Sequence, residues 1–206
     1  REGRESAVAS AFDIDWAAGG GRVLVPILGS PTHEVMARGE LTIDLAPSAD
    51  APDGTLSYFD HVLPLAPGSA EHEGELRALL DAQHYELRFW EDQNTELNYR
   101  RFFAVVELAG IRVELPDVFA ESHAEIIRWI RDGLADGLRV DHPDGLIDPA
   151  GYLEQLADAT GGAYTLVEKI LEPGEELPAW WRTDGTTGYD ALAELDRVLI
   201  DRDGVD

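Results

Sequence analysis

The chain has 206 residues, no cysteine and a formal charge of −25, with 41 acidic against 16 basic side chains and 44% hydrophobic residues. Without cysteine there is neither a disulfide scaffold nor a cysteine-ligated zinc site, and the apolar content excludes a disordered acidic tail. The charge argues against nucleic acid as a partner, which needs a basic patch, and no run of about 18 apolar residues spans a membrane.

Lys169 is the only lysine; the other 15 basic residues are arginine. Acidic excess with little lysine suits high salt, and an Arg-, Ala- and Gly-rich chain equally suits a GC-rich genome; net charge bears on solubility and not on fold. The first ten residues lack an apolar core, so no signal peptide is expected. With no cysteine either, the expected location is cytoplasmic.

Residues 1–70 carry short apolar runs at Val23–Leu28, Leu41–Leu45 and Leu56–Leu65, punctuated by Gly and Pro. They are expected to form three short strands in a small β-rich subdomain. From about residue 75 the period becomes helical. Leu76, Leu79, Leu80 and Gln83 share a face of a helix expected to run on past Tyr85. Residues 117–132 follow with a stripe of Phe119, His123, Ile126, Ile127 and Ile130, started by Pro116 and stopped by Gly133. His123 on that stripe reads as a packed histidine rather than a ligand.

A strand is expected at Gly137–Asp141, a helix at Ala150–Ala159, a second strand at Ala163–Lys169, a Pro/Gly-rich loop over 172–188, and a last helix over about 190–200 with Leu192, Leu195, Val198 and Leu199 on one face. This alternation is a βα pattern with a parallel sheet. Because strand side chains alternate, Arg139 and Asp141 share one face, as do Leu166 and Glu168. Both strands thus end on an acidic residue at the carboxyl end, where barrel enzymes place their active sites. If the strands are neighbours, the two carboxylates face one cavity. Two carboxylates about 5–5.5 Å apart support retaining glycoside chemistry, one as nucleophile and one as acid/base. Arg139 is placed to pair with Asp141 and orient it. Lys169 reaches the site only if its strand ends by Glu168. In a chain this acidic, two strand-end carboxylates can also be ordinary surface groups.

The segment Gly137-Leu138-Arg139-Val140-Asp141-His142-Pro143-Asp144-Gly145-Leu146 resembles the second conserved region of the α-amylase superfamily, glycoside hydrolase family 13. It is nearest the form of its maltooligosyltrehalose synthase family. Val167-Glu168-Lys169-Ile170-Leu171 resembles that family's third region. Phe12–Trp16, Val25–Gly29, Ala82–Tyr85, Asn98–Phe103 and Gly185–Asp190 match in the same order. The resemblance implies an α/β fold: a partial (β/α)8 TIM barrel, about strands 4 to 6, in residues 71–206. Residues 1–70 would be the small inserted subdomain.

It also implies intramolecular transglucosylation, which converts the reducing-end α-1,4 linkage of a maltooligosaccharide into an α,α-1,1 linkage. Asp141 would be the nucleophile and Glu168 the acid/base. Arg139, His142, Lys169, Tyr99, Arg100, Arg101 and Tyr189 would be substrate-side residues. Tyr99–Arg101 read equally well as structural, Tyr189 as a packed aromatic, and Trp180 and Trp181 as exposed loop aromatics or sugar platforms. Asp13 and Asp15 would shape a loop.

No metal and no organic cofactor are implied. The substrate would be a maltooligosaccharide, with neither membrane nor nucleic acid as partner and functional pairing with a trehalose-releasing hydrolase. One alternative is an α-amylase-type hydrolase using the same carboxylates. The other is a non-catalytic carbohydrate- or calcium-binding module, whose support in Asp201–Gly204 lacks the downstream glutamate of a calcium loop.

The superfamily's first and fourth conserved regions, the latter with a third catalytic aspartate, are expected outside these residues. The 206 residues alone are therefore predicted to be weakly stable and inactive, since a partial barrel leaves open strand edges. A cooperative melt with full turnover from the isolated segment would overturn this.

Overall fold

In the computed structural model, residues 1–72, 74–200 and 204 are described. The Asp201–Asp203 part of the proposed calcium loop lies outside them. The chain folds as a mixed α/β protein in two compact units, Arg1–Arg112 and Val113–Asp206.

In the first unit, β1 (Val23–Leu28) runs parallel to β5 (Tyr85–Phe89), with Val23 opposite Tyr85 and Val25 opposite Leu87. The register shifts between Val25 and Leu28, where Pro26 has no N–H for the ladder. This pairing joins the strand near residue 25 to one beyond residue 80, within the unit that runs to Arg112. The helix expected past Tyr85 stops early. α2 (Leu76–Asp81) ends, and Gln83, buried, donates to the Leu79 carbonyl and accepts from the Ala66 N–H. Tyr85 and Leu87 are buried on alternate positions, so pairing with β1 outweighs the helical periodicity of the preceding turn.

After α1 (Thr32–Arg38) comes a meander of β2 (Leu41–Asp44), β3 (Thr55–Tyr58) and β4 (His61–Pro64). The single strand expected over Leu56–Leu65 is thus a hairpin. Tyr58 pairs with His61 across Phe59-Asp60, and Phe59 takes a left-handed φ of 49°. The turn has none of the Asn-Gly chemistry that marks such hairpins in sequence. Leu28, Val35, Leu56, Leu65 and Leu79 form a fully buried core between these elements. A further hairpin, β6 (Arg101–Phe102) with β7 (Val105–Ala109), has no counterpart among the expected elements.

Asn98 pins this unit. Its amide is 5% exposed, accepts the Leu24 N–H at 2.9 Å and donates to the Asp15 and Arg22 carbonyls, each at 2.9 Å. Asp15 in turn accepts the Ala17 and Ala18 N–H groups, shaping its loop as expected.

In the second unit, α3 (Pro116–Arg131) begins with Pro116 in its first turn and buries Phe119 and His123. β8 (Gly137–Val140), α4 (Pro149–Thr160), β9 (Tyr164–Val167), β10 (Gly185–Thr186) and α5 (Tyr189–Leu199) follow. The strands form a parallel sheet in the order β10-β9-β8, as the βα spacing predicts. Asp148 caps α4 by accepting the Gly151 N–H, and Leu153, Leu156 and Ala157 face inward. Leu192, Leu195, Val198 and Leu199 on α5 are exposed among the described residues. No described helix is long and apolar enough to cross a membrane.

His123 is a packed residue, as its place on the stripe suggests. It stacks on Phe119 at 4.3 Å, and its ring nitrogens meet Ser122 Oγ at 2.9 Å and Tyr152 Oη at 3.0 Å.

Two predictions follow from these contacts, both for the full-length protein. Asn98→Ala strips the buried Leu24 N–H of its partner, at about 1–3 kcal/mol, and removes two part-buried bonds to the Asp15 and Arg22 carbonyls. Hydrogen exchange at Leu24 should accelerate markedly, with amides of the second unit unchanged. Burial pushes His123 below its ordinary value, so the unfolded chain accepts a proton that the folded chain resists. The stability this gives is present above about pH 6.5 and is lost as pH falls through the lower folded value. The melting temperature should therefore drop more between pH 7 and 5 for the wild type than for His123→Phe; a larger drop in the variant would contradict this.

Candidate active site

The site is set by the register of β8 on β9. Arg139 lies opposite Leu166 and Val140 opposite Val167. Both strands end one residue before the carboxylate: β8 at Val140 and β9 at Val167. The ladder nevertheless continues one step, because the Glu168 N–H donates to the Val140 carbonyl at 2.7 Å. Asp141 and Glu168 therefore leave adjacent strand ends at matching positions. Gly137 allows the close approach at the other end of β8, where a Cβ would fall 2.7 Å from the Tyr164 carbonyl oxygen.

The chain turns sharply after Asp141. His142 is left-handed at φ 45° and ψ 56°, and Pro143–Gly145 form a single 3₁₀ turn with Pro143 buried. For a residue other than Gly this conformation is uncommon, and the surrounding turn holds it. Gly145 leaves room for the imidazole, since a Cβ there would meet the His142 ring carbon Cδ2 at 2.6 Å and displace the ring. In this conformation the His142 N–H donates to Glu168 Oε2 at 3.2 Å. The Glu168 carboxylate is thus tied to the backbone of the residue next to Asp141. Arg139 Nη1 donates to Asp141 Oδ1 at 2.6 Å, as the strand alternation predicts. Both side chains are more than half exposed, so the pair orients Asp141 more than it stabilises the fold.

Lys169 departs from strand alternation because β9 has ended. Its ammonium lies 2.9 Å from both Asp144 and Glu175, with the side chain 11% exposed. Hydrogen bonds that its ammonium donates to these two carboxylates, Asp144 foremost, raise Lys169 above the usual lysine value. Tyr189 stands exposed at the start of α5. Trp180 is exposed and Trp181 half-buried.

Tyr99, Arg100 and Arg101 belong to the first unit. Tyr99 donates its hydroxyl to the Val106 carbonyl at 2.6 Å, and burial raises its phenol. Arg100 bonds the Ile111 carbonyl and lies 3.5 Å from Asp13. Arg101 is spent on Phe103, Gln93 and Asn94. Tyr99 and Arg100 line an apolar recess of about 200 Å³ with Phe12, Ile14 and Val25.

Arg139, Asp141, His142, Glu168 and Lys169 are therefore assembled at one end of one sheet, while the three residues of the first unit each have structural partners of their own. Asp144, Gly145 and Glu175 were not singled out from the sequence. Asp144 and Gly145 lie in the matched motif without a role assigned to either, and a lone lysine beside Glu168 and the Pro-Gly turn before Glu175 are further signals. Among the described residues, no cluster of three or more His, Asp or Glu is arranged to hold a metal.

No family model matches the chain. A curated relative from Mycobacterium tuberculosis (strain ATCC 25618 / H37Rv), a maltooligosyl trehalose synthase by provisional name, is 46% identical over 98% of this chain and 24% of its own length. The solved maltooligosyltrehalose synthase of Arthrobacter ramosus is 49% identical with a TM-score of 0.86, covering 97% of this chain and 25% of that one. A glycosyltrehalose synthase of strain DSM5389 is 32% identical with a TM-score of 0.82, over 98% and 27%. The chain spans about a quarter of the length of these relatives, and the likeness read from its motifs holds along nearly all of it.

Proposed function

We propose that this chain is part of a maltooligosyltrehalose synthase and carries two of its reacting carboxylates. The observation that carries the reading is the β8–β9 register, which sets Asp141 and Glu168 side by side at adjacent strand ends with the His142 N–H bridging to Glu168. In this reading β8, β9 and β10 are consecutive strands of a (β/α)8 barrel. The first compact unit, to Arg112 and not only to residue 70, is the inserted β-rich part.

The substrate is a maltooligosaccharide bound with its reducing-end glucose beyond the scissile bond. Asp141, oriented by Arg139, attacks the anomeric carbon of the penultimate sugar. Glu168 gives its proton to the glycosidic oxygen, and the reducing-end glucose leaves without diffusing away. A glycosyl ester on Asp141 results. Glu168, now a carboxylate, takes the proton from the anomeric hydroxyl of that glucose. The hydroxyl oxygen attacks the glycosyl carbon and expels Asp141. Two inversions give net retention at the donor, and the product ends in an α,α-1,1 linkage. The steps conserve atoms without water, so water must be kept from the ester while the glucose turns over.

His142, next to the nucleophile, is placed to meet sugar hydroxyls. Tyr189 stacks on a sugar ring. The chemistry needs carboxylates and no organic cofactor. A cytoplasmic location and functional pairing with a trehalose-releasing hydrolase fit the same reading.

Proton NMR of maltopentaose with the full-length protein tests it. Reducing-end anomeric signals should fall as a 1,1-linked signal grows. Asp141→Asn and Glu168→Gln should each slow this on the order of 10⁴-fold. A rise in reducing ends would instead make the enzyme an α-amylase-type hydrolase with the same carboxylates.

A further inference from the structure

Lys169 is an unusual residue in this chain: the sole lysine among 206 residues, largely covered, and shared between two carboxylates on different loops. The two loops are those that leave the carboxylate ends of β8 and β9. Asp144 sits in the turn that follows Asp141. Glu175 closes the turn Glu172-Pro173-Gly174-Glu175. There the Glu175 N–H donates to the Glu172 carbonyl, its carboxylate accepts the Glu172 N–H, both at 2.9 Å, and Gly174 adopts φ 89°.

Two links join the turn after Asp141 to the end of β9. One is the His142 N–H on Glu168; the other is Lys169 Nζ on Asp144, at 2.9 Å. Residues 142–144 and 168–169 thereby close a ring of backbone, hydrogen bond and ion pair that includes Glu168 and starts one residue after Asp141. Without the lysine, the turn after Asp141 keeps the 3.2 Å His142 N–H bond to Glu168 but loses the ion pair between Asp144 and Lys169. Asp144 and Glu175 also lose the cation between them and repel each other.

We propose that Lys169 is a positioning residue rather than a sugar contact: its ammonium locks the turn bearing His142 and the loop bearing Glu175 onto the strand end bearing Glu168, and so fixes the alignment of Glu168 with Asp141. This rests on the reading of Asp141 and Glu168 as the reacting pair. The ammonium acts as a point charge between two carboxylates, a geometry the planar guanidinium of arginine does not reproduce. Returning the anomeric hydroxyl of a bound glucose demands closer alignment of Glu168 than admitting water does. Loosening the clamp therefore favours hydrolysis over isomerisation.

The test uses the full-length protein with maltopentaose and the variants Lys169→Met, Lys169→Arg, Asp144→Asn and the Lys169→Met/Asp144→Asn double. Lys169→Met should lower kcat roughly 10- to 100-fold, as expected for misplaced reacting groups, with KM within roughly threefold. Its ratio of hydrolysed to isomerised product should rise several-fold, a readout that a smaller folded fraction does not move. Lys169→Arg should recover only part of kcat. The double variant should be no slower than Lys169→Met, because both remove one interaction.

A KM increase of roughly tenfold with unchanged kcat would make Lys169 a sugar contact and overturn the proposal. Wild-type kcat and product ratio, or additive losses in the double variant, would overturn it equally. If Lys169→Met does not fold, Asp144→Asn carries the test with the same two readouts, and an unchanged product ratio there overturns it. Asp141→Asn separates the levels. Full turnover in that variant defeats the underlying carboxylate pair, whereas an inactive Asp141→Asn beside an unaffected Lys169→Met defeats only the role of the lysine.

Discussion

The hydrogen bond from the Glu168 N–H to the Val140 carbonyl extends the parallel ladder of β8 and β9 by one residue, and the rest of the candidate site depends on it. Parallel strands keep an even register, so one correctly paired residue fixes its neighbours. Val140 on Val167 places Asp141 beside Glu168. A slip of one residue would turn one carboxylate to the opposite face of the sheet. Buried Thr165 and Val167 oppose such a slip from the other face.

Beyond the strand ends the backbone is governed by local chemistry. His142 takes a left-handed conformation that costs energy for a β-carbon-bearing residue, and the return is an N–H aimed at Glu168. Pro143 fixes the next residue, Gly145 leaves room for the imidazole, and Asp148 caps the helix that carries the chain back to β9. Each device is short-range, and together they make the path from one carboxylate to the other a sequence of constrained steps. Asn98 plays the corresponding part in the first unit, tying three separate stretches of backbone through one buried amide.

The large negative charge is handled locally. Most ion pairs among the described residues involve exposed arginines and contribute little individually. The covered Lys169 differs because two loops share it, so its loss acts on geometry more than on total stability. In an acidic chain this single ammonium links the turn that follows Asp141 to the loop that follows Glu168.

Much was legible in the sequence because it follows from periodicity and turn chemistry. The α3 stripe with its packed His123, the alternation of strands and helices after residue 113, and the Arg139–Asp141 pairing all depend on spacings of two to four residues. The motifs around Asp141 and Glu168 were likewise readable, since both lie at strand ends. Long-range pairing was not. Tyr85–Phe89 became a strand only because β1, some sixty residues earlier in the chain, offered an edge, and the hairpin at Phe59 used a left-handed residue that no composition signal marks. Lys169 could be placed beside Glu168 by counting, but its partners Asp144 and Glu175 come together only when β8 and β9 pair. Local order is encoded by neighbours within a few bonds; contacts between distant segments are decided by which surfaces bury each other, and that requires the folded chain.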